Sequence, residues 1–163
     1  LAELHRGPLI FDLAPDAAVR AAIGRLLKLE ALHDLTAQVR LTPWMDGVEV
    51  QGRWRAVVAQ ACGLSLETFQ TPLAGDFRVR CVPVGSPHAQ SPEDEVEIDL
   101  EADDPPDLLD GDHIDVAAYV VEYLALEIDP FPRKPGAVFE PPTAETPPSP
   151  FAVLSKLKTP PES

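Results

Sequence analysis

Two hydrophobic periods divide this chain. From Leu32 the period is two: Leu35, Ala37, Val39 and Leu41 alternate with Thr36, Gln38, Arg40 and Thr42. That is the signature of a strand with one face buried. The same period returns at Val48 and Val50 and across residues 53–64, with Trp54, Ala56, Val58 and Cys62 on one face. It recurs where Phe77, Val79 and Cys81 alternate with Arg78 and Arg80, a run that Pro83 closes. Val96, Ile98 and Leu100 against Glu97, Asp99 and Glu101 predict an acidic edge strand blunted by its charges. The short run Leu9–Leu13 predicts a strand entering the domain. Met45-Asp46-Gly47 predicts a hairpin turn. Gly52 predicts a bend or bulge, and Pro72 predicts an interruption of a strand over residues 66–73.

Two segments have a helical period. After Ala14-Pro15-Asp16, with proline at the first position and an acid in the first turn, Val19, Ala22, Ile23, Leu26 and Leu27 form an apolar stripe. Arg20, Arg25 and Lys28 fall outside it, and Gly24 inside the helix costs about 1 kcal/mol relative to alanine. Residues 113–137 hold the second helix. Asp115 is placed to cap it, and Val116, Val120, Val121, Leu124 and Ile128 give one apolar face. Pro130 ends it, and Pro132 and Pro135 hold the following chain extended. Residues 103–112, with Pro105 and Pro106, are expected to be a loop. Strands grouped between two helices imply an α+β fold: a curved antiparallel sheet of about five strands with two helices packed on one face, plus a Pro-rich C-terminal tail. The expected organisation is a domain over residues 1–140, a Pro-rich linker over 141–150 and a short tail motif over 151–163.

Charge sharpens this picture. The formal charge is −14 over 163 residues, yet residues 85–115 carry twelve acids and no lysine or arginine. The remainder is close to neutral, so the chain is a balanced body with one acidic loop. That loop either keeps the protein in solution or attracts a basic partner such as a ribosomal protein, and it disfavours a wholesale nucleic-acid-binding surface. No apolar run approaches the roughly 20 residues that span a bilayer. Glu3, His5 and Arg6 interrupt the first short apolar run, so no signal peptide is expected. A cytoplasmic location and a reduced Cys62 and Cys81, each buried as a small hydrophobe, follow as expectations.

Catalytic signatures fail one by one. There is no GxGxxG, no GxxxxGK loop and no GxSxG elbow. His5, His33, His88 and His113 have no metal-ligand spacing, and two cysteines nineteen positions apart do not make a zinc site. No catalytic residue, metal ligand or cofactor is assigned. Glu122, mid-helix, is either a solvent-facing residue or a structural anchor to a sheet arginine. Arg40, Arg53, Arg55, Arg78 and Arg80 fall together on the strand face opposite the apolar one. They either grip phosphates or an acidic partner, or pair across strands with Glu49, Glu67 and Asp76. No aromatic platform accompanies them, so base stacking is not indicated.

Four pieces of sequence, in order, resemble the YceD family of large ribosomal RNA subunit accumulation proteins, in its alphaproteobacterial form. They are GRWRAVVAQAC from Gly52 to Cys62 followed by Leu66-Glu67-Thr68-Phe69; Ile114-Asp115 with Glu122 and the helix end; DPFPRKPGA from Asp129 to Ala137; and Pro150-Phe151-Ala152-Val153-Leu154 with Leu157-Lys158. One departure is that many members have Cys-x-x-Cys where this chain has Cys62-Gly63-Leu64-Ser65. The resemblance implies a non-enzymatic accessory factor for accumulation or processing of large-subunit (23S) ribosomal RNA. Its partner would be the ribosomal RNA precursor or a ribosomal or assembly protein. A direct RNA-binding module using the basic strand face is the alternative, and an enzyme such as a nuclease the third reading. The binding residues expected are Arg40, Arg53, Arg55, Arg78, Arg80, Arg133 and Lys134, with Asp115, Glu122 and Gly136 structural. Phe151, Leu154, Leu157 and Lys158 are expected to dock, either on a partner or back on this domain.

Overall fold

A computed structural model describes Leu4 and residues 7–89, 105–111 and 113–139. The elements are β1 (Leu9–Leu13), α1 (Ala17–Leu26), β2 (Ala31–Trp44), β3 (Gly47–Ala61), β4 (Thr68–Pro83), β5 (Asp107–Leu109) and α2 (Val116–Glu127). They form one five-stranded sheet in the order β1-β2-β3-β4-β5, and both helices lie against it. The first four strands are antiparallel, whereas β5 runs parallel to β4, pairing Asp107–Leu109 with residues 81–83. The fold is therefore α+β, with a sheet that is mostly antiparallel. The fifth strand comes from a stretch expected to be a loop, because the end of β4 offers it an unpaired edge. The strand expected around Val96 lies outside the described residues.

The two-residue period builds the core. Leu35, Ala37, Val39 and Leu41 of β2 are buried, and their partners across the pair are Ala56, Trp54, Gly52 and Val50. A bulge between Leu32 and Asp34 resets the parity, so that Leu32 also faces inward, opposite Val58. On α2, Val120 and Leu124 are buried against this face, and Tyr123 stacks on Phe77 with centroids 4.6 Å apart. Asp115 caps α2 by accepting from the N–H groups of Ala117 and Ala118, both at 3.0 Å.

Glycine explains two departures from expectation. Gly52 is neither bend nor bulge; it lies inside the continuous β3, opposite Phe77, and a Cβ there would strike the Phe77 ring. Gly75 likewise makes room for Trp54, whose ring would lie 2.9 Å from a Cβ. The hairpin turn is made by Met45 and Asp46, with Met45 at φ 51°, while Gly47 begins β3, where a Cβ would meet the carbonyl of Cys81. Nor does Pro72 interrupt β4: at that level β4 has β3 on one side only, so the missing N–H deprives no partner.

The first helix also departs from its expected stripe. Its N-cap is Asp16, which accepts from the Val19 N–H at 2.9 Å. Gly24 is its buried residue, set against Leu32, with Ile23 and Leu27 half-buried. Val19 is 47% exposed and Leu26 70%. A short helix seated through a glycine sits close to β2 on a narrow strip and leaves its flanks uncovered. No described helix is long and apolar enough to cross a membrane.

Candidate functional site

The strand register decides where the arginines go. On the face opposite the core, Arg40 of β2, Gln51 of β3 and Arg78 of β4 lie in one row. The flanking rows are Gln38, Arg53 and Asp76, then Thr36, Arg55 and Ala74, and on the other side Thr42, Glu49 and Arg80. All five strand arginines thus share one face, as side chains of one parity must. They are not equivalent. Arg80 Nε donates to Glu49 Oε2 at 3.4 Å, and Arg78 Nε lies 4.0 Å from the same oxygen. The Arg80 guanidinium also sits 5.2 Å from the Trp44 ring centroid. Glu49 is held in turn by Gln51, whose side-chain amide donates at 2.6 Å. Arg78 and Arg80 are therefore partly neutralised. Arg40, Arg53 and Arg55 are exposed and form no ion pair among the described residues. Asp76 stands opposite Arg53 in register without bridging it. Arg40, Arg53 and Arg78 border an open depression of ≈460 Å³.

A second cluster forms where β3 turns into β4. Cys62 is fully buried, and its sulfur accepts from the backbone N–H groups of Leu64 at 3.4 Å, Ser65 at 3.5 Å and Lys134 at 3.3 Å. Hydrogen bonding from the Ser65 side chain, then from these N–H groups, pulls the thiol down to about 6. Ser65 stands where the second cysteine of Cys-x-x-Cys would be, and its hydroxyl donates to Glu67 Oε2 at 3.3 Å. The segment after α2 is stitched to this turn: Gly63 N–H donates to the Pro132 carbonyl and the Gln60 amide to the Asp129 carbonyl, each at 2.9 Å. Lys134 Nζ lies 2.9 Å from Glu67 Oε2, which holds the Glu67 carboxyl below its usual range. Lys134 is thus committed to a structural pair, whereas Arg133 is exposed. Gly136 has φ 79°, in the region that favours glycine. Cys62 is hence an acceptor hub and not simply a small hydrophobe.

Cys81 fits the apolar expectation better. Both thiols are free and buried. Burial pushes the Cys81 thiol up, and its sulfur lies 3.3 Å from the Tyr119 hydroxyl, which donates to Asp107 Oδ2 at 3.1 Å. This chain ties α2, β4 and β5 together. The hydrophobic period did not single out Tyr119 and Tyr123, although their four-residue spacing beside Val120 and Leu124 was a usable signal. Glu122 is exposed and lines an open pocket with Arg78 and Arg80, but it forms no ion pair among the described residues.

Two pieces of sequence far apart in the chain, one ending β3 and the other following α2, therefore meet at Cys62. A family model described as "Large ribosomal RNA subunit accumulation protein YceD" matches residues 50–158, about two thirds of the chain. The chain belongs to the YceD family. No curated protein and no solved structure matches it significantly. The YceD match takes in β4, β5, α2, most of β3 and the docked segment, and all the strand arginines except Arg40. It also takes in Phe151, Leu154, Leu157 and Lys158, which lie outside the described residues.

Proposed function

We propose that this protein is a non-enzymatic accessory factor in the accumulation of large-subunit ribosomal RNA, and that it works by binding the RNA backbone through its outer strand face. Membership of the YceD family supports the role in accumulation of large-subunit ribosomal RNA. The observation that carries the binding mode is the set of three exposed arginines, Arg40, Arg53 and Arg55, on one rigid face without ion-pair partners among the described residues. Arg53 and Arg55 are two residues apart on one strand, so their stems stand roughly 7 Å apart. Arginine forks of this kind suit phosphate oxygens. The twelve acids of residues 85–115 account for most of the chain's net negative charge, and the remainder of the chain is close to neutral. Contacts would be to backbone rather than to bases, since no aromatic side chain shares the three arginine rows.

The test is a salt titration of the full chain binding a large-subunit ribosomal RNA precursor fragment. Each phosphate contact contributes a slope of about 0.7–0.9 in log K against log salt. Reversing Arg40, Arg53 and Arg55 to glutamate should cut the slope by about 2–3. In cells lacking the gene, large-subunit RNA should fall relative to small-subunit RNA and be restored by the wild-type chain but not by the triple variant. Restoration by the triple variant would remove the arginine face from the function. Normal RNA levels in the deletion would remove the function itself.

A further inference from the structure

The core side of the sheet has an uncovered groove. It runs between the two helices: Val19 and Ile23 of α1 form one wall, Ala117 and Val121 of α2 the other, and Leu35 lies at its floor beside Leu13. Its volume is ≈290 Å³ and its lining is almost wholly apolar, with Asp12 the ionisable residue at its border. Val19, nearly half exposed, shows that no described residue fills it. An apolar cleft left open to water is unfavourable by roughly 25 cal/mol per Å² of surface that could be covered.

We propose that residues 151–158 of the same chain occupy this groove, with Phe151 and Leu154 inserted between α1 and α2. Three observations select this occupant. First, it reaches. The described chain leaves the turn at Cys62 through Pro132 and Lys134. The groove lies at the level of Ala56, the register partner of Leu35, about 20 Å along β3 from Cys62. Eleven residues separate Phe139 from Phe151, five of them proline, and extended chain of that composition spans about 34 Å. Second, the chemistry matches. Phe151, Leu154 and Leu157 recur at three-residue intervals, and the segment carries Lys156 and Lys158 with no acid, which suits a groove bordered by Asp12. The other apolar stretch outside the described residues, around Val96, is flanked by Glu95, Glu97 and Asp99 and would bring like charge to that border. Third, the family match runs to residue 158, so the segment is part of the same family unit as the sheet. The tail thus closes the core in place of a longer first helix.

The experiment uses the full chain. Val121→Cys combined with Leu154→Cys should form a disulfide on mild oxidation in at least half of the molecules, independent of dilution. Cys62 and Cys81 are free and buried, and the wild-type chain oxidised in the same way supplies the blank for them. In a methyl NMR spectrum, Phe151→Ala with Leu154→Ala should shift Val19, Ile23 and Val121 while leaving Val50 and Val58 in place. A synthetic peptide of residues 149–158 should reverse those shifts. Unchanged groove methyls would overturn the proposal. So would absence of the disulfide, or a disulfide product of twice the chain mass, which would place the tail on a second copy.

Discussion

The two faces of the sheet are built from the same strands and obey different rules. On the inner face, each residue has one acceptable size. Gly52 is small because Phe77 lies over it, Gly75 because Trp54 does, and Leu124 is fully buried in the same core cluster as Val39 and Val50. On the outer face, Arg40, Arg53 and Arg55 stand in water without fixed partners among the described residues. Packing constrains a side chain through many simultaneous contacts, whereas an exposed charge is constrained only by what it binds. Stability should therefore be lost on one face and binding on the other.

The contrast breaks most visibly at Leu124. Leu124→Ala empties a fully buried position and should cost about 2–5 kcal/mol, read from the urea midpoint at unchanged slope. Gly52→Val comes next, at about 1–3 kcal/mol, because the Phe77 ring must leave its seat. Adding Phe77→Ala should recover part of that loss, and strict additivity of the two changes would refute the ring-over-glycine account.

Cys62 is buried just beyond the end of β3 and makes a subtler test. Its folded thiol titrates at about 6, whereas the ordinary value is 9.0. Between these pH values the unfolded chain holds a proton that the folded chain has lost, so stability rises with pH through that window and the gain is absent below about 6. Cys62→Ala should flatten the rise. Cys81, pushed upward by burial, stays protonated across the same window and supplies no such slope. Parallel curves for wild type and Cys62→Ala would contradict the hydrogen-bond account. Smallest of all should be Arg53→Gln, within about 0.5 kcal/mol of wild type in stability, while RNA retention drops and its salt slope falls by about one contact.

Most of the architecture was legible because burial imposes a period. Leu35 to Leu41 and Val48 to Val58 announced their inward face, and Asp115 with Val120 and Leu124 announced the second helix. The parity of Arg40, Arg53, Arg55, Arg78 and Arg80 was legible for the same reason, and so was Glu49 as a partner for two of them. What stayed hidden depends on a neighbour absent from the local sequence. Gly52 read as a bend because Phe77 is 25 positions away; Asp107–Leu109 read as loop because the strand it pairs with had ended 24 positions earlier. Val19 and Leu26 read as core because a helical stripe does not reveal how closely its helix approaches the sheet.

From its sequence alone this protein had its class, its two helices, its main strands and the common side of its arginines, since alternation and capping act over a few residues and need no distant partner. Only the folded arrangement decided which arginines remain uncommitted, why each core glycine is a glycine, and how Cys62 gathers three N–H groups from two segments seventy positions apart. Those outcomes depend on ångström-scale contact between remote parts of the chain, which is set when the sheet pairs and the helices seat on it.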